Sequence, residues 1–339
     1  MANDLLHALS LAPIAAPPMK LNATLPENTT CPHCRHPVDV SDCQPFEKVS
    51  CPDCDKDFAV PAEFGRFLIS ELAGSGQMGV VFKAWDRSVN MRVALKVARE
   101  ELAGSSVFFE SLMNEVAIAG RLKHRHLIQV YDYGRIKDQP YIAMEYISGG
   151  TLLKRMREGH PLLKERHILE WGVHVCEGLR EAAKVGLVHG DLKPANLLFD
   201  HDNVLKIADF GLARAGGHAS NDIWGTPMYI APEKAQGKQE DFRSDLYSLG
   251  IILWQALAGG VPPYDAPDGE GLVHAHIHAP IPDLLQTNPA VSFHTSIILR
   301  RMMAKVPDRR FSSYDYAIAE LRAAQKSADA KFKSARPVS

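Results

Sequence analysis

The sequence has no long hydrophobic run and no excess of charge of either sign. Its longest apolar stretch, around residues 251–258, is too short to span a bilayer, so we expect no membrane span. The 38 Lys and Arg residues nearly balance the 40 Asp and Glu residues, so no overall field recruits nucleic acid or an acidic membrane. The first eleven residues lack the basic start and apolar core of a signal peptide. We therefore expect a cytoplasmic protein.

Cysteine is scarce as well, yet four of the six cysteines form two CxxC pairs. Cys31 and Cys34 are separated from Cys51 and Cys54 by sixteen residues, a spacing typical of a zinc ribbon. Four thiolates close a tetrahedral shell, so the predicted Zn²⁺ is structural. A segment of about thirty residues buries too little surface to fold without such a metal. Residues 31–62 are therefore predicted to form a small zinc ribbon.

Alternatives for this cysteine-containing segment stay open. Cys43, His33 or His36 could replace one of the four ligands. The cysteine pairs could instead be redox-active, although no thioredoxin-like pattern of strands and helix surrounds them. Nucleic-acid binding is disfavoured, because three basic residues stand against six acidic ones in the ribbon, and negative charge repels phosphate.

The two ends of the chain carry little structural signal. Residues 1–30 contain several prolines and almost no charge, which predicts a flexible leader. A short helix that docks on a partner is the alternative for this segment. Residues 325–339 contain four basic residues and are predicted to be a tail at a frayed helix end.

A glycine-rich turn follows the ribbon. Gly74, Gly76 and Gly79 lie between two segments with the composition of strands, and the first of these segments is predicted to be one strand over 64–69. The third glycine leads into β-branched residues and not into a helix, which favours a β-hairpin covering phosphates over a dinucleotide-binding fold. In the next predicted strand, 93–97, Lys96 is flanked by apolar residues, so we expect a buried stem and a directed ammonium group.

A polar loop between apolar flanks contains Asp191, Lys193 and Asn196. A carboxylate, a lysine and an amide at these offsets suit the deprotonation of a hydroxyl beside a metal-bound polyphosphate. An Asp and a Lys in one loop are weak evidence by themselves. However, Asp209 follows at the end of another predicted strand, and Ala231-Pro232-Glu233 comes later, in the order that a protein kinase requires.

These motifs together resemble those of the bacterial eukaryotic-like (Hanks-type) Ser/Thr protein kinases, over roughly residues 64–322. The resemblance implies an α+β, two-lobed protein kinase fold preceded by the zinc ribbon. The kinase domain would cover 63–324, with a β-rich N-lobe over 63–147 and a helical C-lobe over 148–324.

The resemblance also implies ATP- and Mg²⁺-dependent transfer of the γ-phosphoryl group to Ser and Thr hydroxyls of proteins, including autophosphorylation. Asp191 would accept the hydroxyl proton, and Asn196 and Asp209 would hold Mg²⁺. The implied catalytic residues are Asp191, Lys193, Asn196, Lys96, Glu115 and Asp209, with Lys96 and Glu115 forming a pair. The implied ATP-binding residues are Gly74, Gly76, Gly79, Val81, Ala94, Lys96, Glu145, Ile147 and Leu198.

Three residues outside the catalytic motifs match structural positions of the family. Glu233 and Arg310 correspond to a buried ion pair, and Asp245 corresponds to the aspartate that holds the backbone of the catalytic loop. The chain departs from the family pattern at Gly190, where most members have arginine, so the enzyme would be of the non-RD type. The corresponding activation segment would cover 212–230, where Ser220 and Thr226 are the Ser and Thr residues.

Four helices are predicted for the larger lobe from apolar residues at helical spacing, over 167–185, 244–258, 293–304 and 313–324. Cys176 is expected to be a buried small hydrophobe. The alternating His274, His276 and His278 could suggest a metal site. We interpret them as solvated histidines of a helix, because side chains two apart on a helix do not converge.

Two functions from other classes compete with the kinase. One is a catalytically inactive kinase-like scaffold, which the complete set of catalytic residues disfavours. The other is a nucleic-acid-binding regulator led by the ribbon, which the acidity of the ribbon disfavours. The expected partners are therefore protein substrates with Ser or Thr, and no pattern points to a particular oligomeric state.

Overall fold

The structure, a computed structural model, describes residues 21–26, 29–76, 79–99, 106–160, 163–210 and 227–334. The chain divides into two compact units. The first unit consists of Met1–Glu110 and Val130–Tyr146, and the second of Ser111–Gln129 and Ile147–Ser339. The chain passes from the first unit to the second for the last time between residues 146 and 147. The sequence predicts the change from a β-rich to a helical lobe next to this point, after residue 147.

The first unit is built from strands. They are β1 (Thr29–Thr30), β2 (Pro37–Val38), β3 (Lys48–Ser50), β4 (Asp57–Ala59), β5 (Ala62–Phe64), β6 (Phe67–Ser75), β7 (Gly79–Asp86), β8 (Met91–Ala98), β9 (Val130–Ile136) and β10 (Gln139–Glu145). β1 pairs with β2, and β3 with β4, in two short antiparallel hairpins. The other six strands form an antiparallel sheet in the order β5-β6-β7-β8-β10-β9.

Alternation along β8 sorts its side chains between the two faces of this sheet. Val93, Leu95 and Val97 are buried in a single apolar cluster together with residues of the neighbouring strands. Because successive side chains of a strand point to opposite faces, Ala94 and Lys96 lie on the other face. The sequence of β8 thus fixes which face of the sheet carries the predicted nucleotide contacts.

A tight turn at Gly65 separates β5 from β6, where the sequence predicts one continuous strand over 64–69. Phe64 pairs with Phe67, and Gly65 has φ +58°. Glycine adopts this left-handed conformation readily, and a Cβ at this position would lie 2.7 Å from the side chain of Ile136. The predicted single strand is therefore wrong, and the segment is a hairpin.

The ribbon segment and the residues before it pack against the sheet. Thr24 and Glu63 exchange two backbone hydrogen bonds of 2.9 and 2.7 Å. The ring of Phe46, between β2 and β3, stacks on Phe82 of β7 with centroids 5.7 Å apart and an interplanar angle of 7°. The chain around Thr24 is thus part of the folded unit, which differs from the predicted flexible leader over 1–30.

Helices make up most of the second unit. The first helix lies between β8 and β9 and passes from the first unit into the second. They are α1 (Ser106–Arg121), α2 (Leu152–Arg157), α3 (Glu165–Ala183), α4 (Pro232–Ala235), α5 (Phe242–Leu257), α6 (Gly269–His278), α7 (Leu284–Thr287), α8 (Phe293–Met302) and α9 (Tyr314–Ser334). The strands β11 (Leu197–Phe199) and β12 (Leu205–Ile207) pair antiparallel between α3 and α4. In the part of the chain that the structure describes, every helix is too short or too polar to cross a membrane.

The core of the second unit surrounds α5, which is buried from Ser244 to Leu257. A side-chain oxygen of Asp241 caps the helix by accepting the backbone N–H of Arg243. A Cβ at Gly172 of α3 would lie only 2.9 Å from Leu253, so the glycine lets the two helices approach closely. The Asp241 cap lies next to the first turn of α5, which contains Asp245.

The predicted helices of this unit are present, with two differences. Helix α9 continues ten residues beyond the predicted end at 324, into the predicted tail. His276 of α6 is completely buried and hydrogen-bonded through Nδ1 to the Tyr247 hydroxyl at 2.9 Å, so the prediction of a solvated side chain is wrong for it. His274 and His278 are exposed as predicted, because residues four apart share one helix face and His276 lies on the opposite one. Cys176 is buried, also as predicted.

Candidate active site

The hairpin of β11 and β12 brings two of the predicted site residues to one end. Leu197 pairs with Ile207, and the Ala208 backbone N–H donates to the Asn196 carbonyl at 2.8 Å. Asn196, directly before β11, and Asp209, just after β12, therefore lie at the same end of the hairpin, although thirteen positions separate them. Asp209 has φ +62°, a left-handed conformation that is uncommon for residues with a Cβ and often occurs at functional sites.

The loop before β11 carries a carboxylate beside a lysine. The Lys193 Nζ lies 2.6 Å from Asp191 Oδ2, and these side chains are 26% and 31% exposed, so both are accessible to a substrate. The Asn196 side-chain amide donates to the Asp191 carbonyl at 3.0 Å. That hydrogen bond uses the amide nitrogen and leaves Oδ1, the atom that could bind a metal ion, as an acceptor. The loop thus brings a carboxylate, a cation and an amide oxygen together.

Buried polar groups hold the backbone of this loop. Asp245 accepts the backbone N–H groups of His189 and Gly190, each at 2.9 Å. Burial raises the pKa of Asp245, while the charges of His189 and Lys234 and these backbone hydrogen bonds act in the opposite direction. The predicted role of Asp245 as the anchor of the loop agrees with this geometry.

His189, to which the sequence analysis assigns no role, connects the loop to Asp209. Its Nε2 is 2.9 Å from the Ala208 carbonyl, and its Nδ1 is 3.2 Å from the Asp191 backbone N–H. The network is satisfied when Nε2 carries the proton and Nδ1 accepts, since a carbonyl only accepts and a backbone N–H only donates. The buried imidazole therefore fixes the backbone at both Asp191 and the residue before Asp209. Its place two residues before Asp191 is the only sequence signal for this role.

The predicted nucleotide contacts of the first unit lie on β6, β7, β8 and β10, except for Gly76, which follows β6. A Cβ at Gly79 would clash with the Val97 carbonyl oxygen, so only glycine fits this position. The Gly76 backbone N–H donates to the Gly79 carbonyl at 2.9 Å and closes the turn, whose residues 77 and 78 lie outside the described residues. Lys96 is paired with Val81 of β7 in the sheet register.

The remaining predicted residues are divided between the units. Ala94 and Glu145 belong to the first unit, and Glu115, Ile147 and Leu198 to the second. The pairing of Lys96 with Glu115 stays a prediction. Residues 211–226 lie outside the described residues, and with them the two hydroxyl residues of the predicted activation segment, Ser220 and Thr226.

Four cysteine sulfurs of the ribbon segment meet in one cluster. The sulfurs of Cys31, Cys34, Cys51 and Cys54 all lie within 4.8 Å of one another. The Cys31–Cys54 and Cys34–Cys51 sulfur distances are 3.7 and 3.5 Å, too long for a disulfide. Tetrahedral coordination with Zn–S bonds of about 2.3 Å requires sulfurs about 3.8 Å apart, so the cluster fits that ion.

The sequence pattern described as the protein kinase domain matches residues 67–322. The chain belongs to the protein kinase family. A probable serine/threonine-protein kinase of Clostridium acetobutylicum is 32% identical over 260 residues, which cover 76% of this chain and 39% of that protein. The serine/threonine-protein kinase PrkC of Bacillus subtilis is 31% identical over 264 residues, which cover 77% of this chain and 40% of that protein.

Solved protein kinase structures agree with this assignment. The crystal structure of the Mycobacterium tuberculosis PknI kinase domain is similar with a TM-score of 0.63 and 28% identity, over 77% of this chain and 97% of that domain. The predicted protein kinase fold is therefore confirmed. The chain spans about two fifths of the length of the curated relatives, and its ribbon segment precedes the matched residues.

Proposed function

We propose that this protein kinase is an active Ser/Thr kinase that transfers the γ-phosphoryl group of ATP to hydroxyls of proteins, itself included. The observation that carries the proposal is the contact of 2.6 Å between Lys193 and Asp191 in a loop whose backbone is fixed by Asp245. A scaffold without activity does not need a partly exposed carboxylate next to a lysine in a loop whose backbone is fixed. The loop Asp191-Leu192-Lys193-Pro194-Ala195-Asn196 resembles the Ser/Thr version, and the relatives named above support the same specificity.

In the proposed reaction Asp191 accepts the proton of the incoming hydroxyl, which increases the nucleophilicity of its oxygen. Lys193 stabilises negative charge on the phosphoryl group while it moves between the two oxygens. Asn196 and Asp209 would hold Mg²⁺, which neutralises phosphate charge when bound. Their fit rests on the available Asn196 Oδ1 and on the hairpin that brings the two residues to one end.

The proposed nucleotide contacts are those of the glycine hairpin and its neighbours, with Lys96 on the phosphates. The close approach of Gly79 to the Val97 carbonyl supports a hairpin whose backbone covers the phosphates. A non-RD enzyme is proposed from Gly190, and its substrates are proposed to be proteins.

The decisive test incubates purified chain with γ-labelled ATP, Mg²⁺ and a general Ser/Thr protein substrate. Asp191→Asn removes the proton acceptor and Lys96→Met removes the phosphate contact, and each is expected to abolish labelling without lowering the melting temperature. Asp202→Asn, at an exposed turn, and Lys83→Met, on the strand next to Lys96, are the matched controls and should keep most of the activity. Undiminished labelling by Asp191→Asn would refute the proposed active site.

We also propose that the cysteine cluster holds one structural Zn²⁺. Within the described residues, the cluster comprises the four CxxC cysteines and includes none of Cys43, His33 and His36. Elemental analysis of protein purified without chelator is expected to give one zinc per chain. Cys51→Ser should lower this ratio, whereas Cys43→Ser should leave it unchanged. Metal-free wild type, or equal loss in both variants, would contradict the assignment.

A further inference from the structure

The backbone of Gly190 is held by a charged side chain at its N–H and by another at its carbonyl. Its N–H donates to Asp245 Oδ1 at 2.9 Å, and its carbonyl accepts from Lys234 Nζ at 2.7 Å. Gly190 has φ +72°, a conformation that is strained for residues with a Cβ. The residue directly before Asp191 is therefore fixed in an unusual conformation by two opposite charges.

Lys234 is itself placed by its neighbours. Its ammonium lies 3.2 Å from Glu240 Oε1, and the two side chains are only 24% and 20% exposed. The preceding residue, Glu233, is anchored by Arg310 in the core of the unit. Because both the backbone and the ammonium of Lys234 are fixed, its hydrogen bond to the Gly190 carbonyl is preorganised and loses little conformational freedom.

This contact bears on catalysis because a peptide plane links Gly190 to Asp191. The carbonyl that Lys234 holds belongs to the same peptide group as the Asp191 N–H, which bonds to His189. Without Lys234 this peptide can rotate, and the Asp191 carboxylate would move with it. Displacement of a catalytic group by about 1 Å can cost two orders of magnitude in rate.

We infer that Lys234 is a positioning residue for Asp191, and that it supplies from α4 the positive charge that the family pattern places at position 190. This inference rests on the proposed kinase activity and extends it. In this arrangement the cation binds the backbone of the catalytic loop directly. Among the described residues, those that hold this part of the loop, Asp245 and Lys234, belong to the second unit.

The test replaces Lys234 with methionine, which keeps the unbranched stem and removes the donor. We expect kcat per folded molecule to fall about tenfold to a hundredfold, with the KM for ATP nearly unchanged, because the proposed phosphate contacts lie on the first unit. Lys234→Arg should restore most of kcat, since arginine can donate to the same carbonyl. A general loss of folding would change the melting temperature and the amount of active protein, and arginine would not rescue it selectively.

Two controls separate the carbonyl contact from other effects of charge. Lys238→Met removes an exposed lysine four residues away and should have no effect. Glu240→Gln keeps Lys234 and should retain most of kcat. A loss in Glu240→Gln equal to that in Lys234→Met would show that the ion pair carries the effect, and would overturn the inference.

Hydrogen–deuterium exchange provides a readout that does not depend on activity. We expect faster exchange in the peptide covering 187–196 in Lys234→Met, and wild-type exchange in Lys238→Met. If wild type labels no substrate above the Asp191→Asn blank, the proposed function fails, and exchange still decides the role of Lys234. Unchanged exchange, or unchanged kcat in an active enzyme, would overturn that role.

Discussion

The guanidinium of Arg310 binds the carboxylate of Glu233 through two hydrogen bonds, from Nη1 to Oε1 at 2.6 Å and from Nη2 to Oε2 at 2.7 Å. The Arg310 side chain is completely buried, and that of Glu233 is 7% exposed. The Ser244 hydroxyl donates to the same carboxylate at 2.7 Å. Burial opposes ionisation of Glu233, but Arg310 and Ser244 outweigh it, so the pKa of Glu233 is lowered.

The first prediction is that Glu233→Ala strongly destabilises the second unit. It leaves the buried Arg310 charge without its carboxylate, and breaking such a pair typically costs about 3–5 kcal/mol. Urea unfolding would measure the loss. Glu158→Ala, which breaks an exposed i,i+4 pair with Lys154, is the control and should cost about 0.5 kcal/mol or less. Equal losses in both variants would show that the buried pair contributes nothing particular.

The second prediction concerns pH and His174 of α3. Its ring stacks on His126 with centroids 4.1 Å apart. Burial, with the charges of His126, Arg125 and Arg322, lowers the pKa of His174 to about 4. An unfolded histidine binds its proton near pH 6.5, so from about pH 6.5 down to about pH 4 the unfolded state binds more protons and the wild type loses stability.

His174→Phe keeps the stacked ring and removes this titration. The stability of the variant relative to wild type should therefore rise as the pH falls from 7.5 to 5, as measured by urea unfolding at both values. Parallel pH profiles for His174→Phe and wild type would refute the prediction.

The third prediction is that Phe46 stabilises the sheet of the first unit. Its backbone N–H donates to the Val60 carbonyl at 2.8 Å, and its ring stacks on Phe82 of β7. Phe46→Ala should cost about 1–2 kcal/mol, since a half-buried ring contributes less than a fully buried one. It should also speed hydrogen exchange in β7.

Phe293→Ala, which truncates a ring that is 70% exposed on α8, should change neither quantity. If exchange in β7 is as slow in Phe46→Ala as in wild type, the stacked pair does not support the strand. None of the ribbon residues matches a catalytic motif, so we expect activity to survive removal of zinc at least in part. The stack of Phe46 on Phe82 connects the ribbon to β7, the second strand of the glycine hairpin, so loss of the ribbon could still alter the conformation of that hairpin.

The fourth prediction is that activity does not depend on phosphorylation of the activation segment, predicted over 212–230. With glycine at position 190 that residue offers no cation for a phosphate, and Lys234 already binds the Gly190 carbonyl. Thr226 matches the family threonine that contacts the catalytic loop, so Ser220 is the candidate regulatory site. Wild type, phosphatase-treated wild type and Ser220→Ala should therefore have similar kcat on an exogenous substrate. A tenfold loss, about 1.4 kcal/mol of transition-state stabilisation, in either treated form would contradict this expectation.

The proximity of the catalytic-loop residues could be predicted from the sequence because these residues are near neighbours along the chain. Asn196 directly precedes β11 and Asp209 lies just after β12, and an antiparallel hairpin places these two positions side by side. Asp191 and Lys193 are two residues apart, so no long-range packing is needed to bring them together. Local spacing was therefore enough for this part of the site.

Contacts between distant segments could not be predicted in this way. Lys234 reaches Gly190 across 44 positions, and neither residue belongs to a pattern that indicates the other. Phe46 has no periodic apolar neighbours that would mark its ring as part of the sheet's core. The burial of His276 depends on Tyr247 of another helix, whereas the alternation of the three histidines indicates only that His276 does not share a helix face with the other two.

The bridge between Thr24 and Glu63 has a consequence for self-association. β5 is the outermost strand at one end of the six-stranded sheet, and such an edge offers free N–H and C=O groups to a strand of another molecule. Residue 24 occupies some of these groups on Glu63 with the chain's own backbone. A protein shortened to begin after residue 26 would expose them, and its sheet could then grow from one molecule to the next.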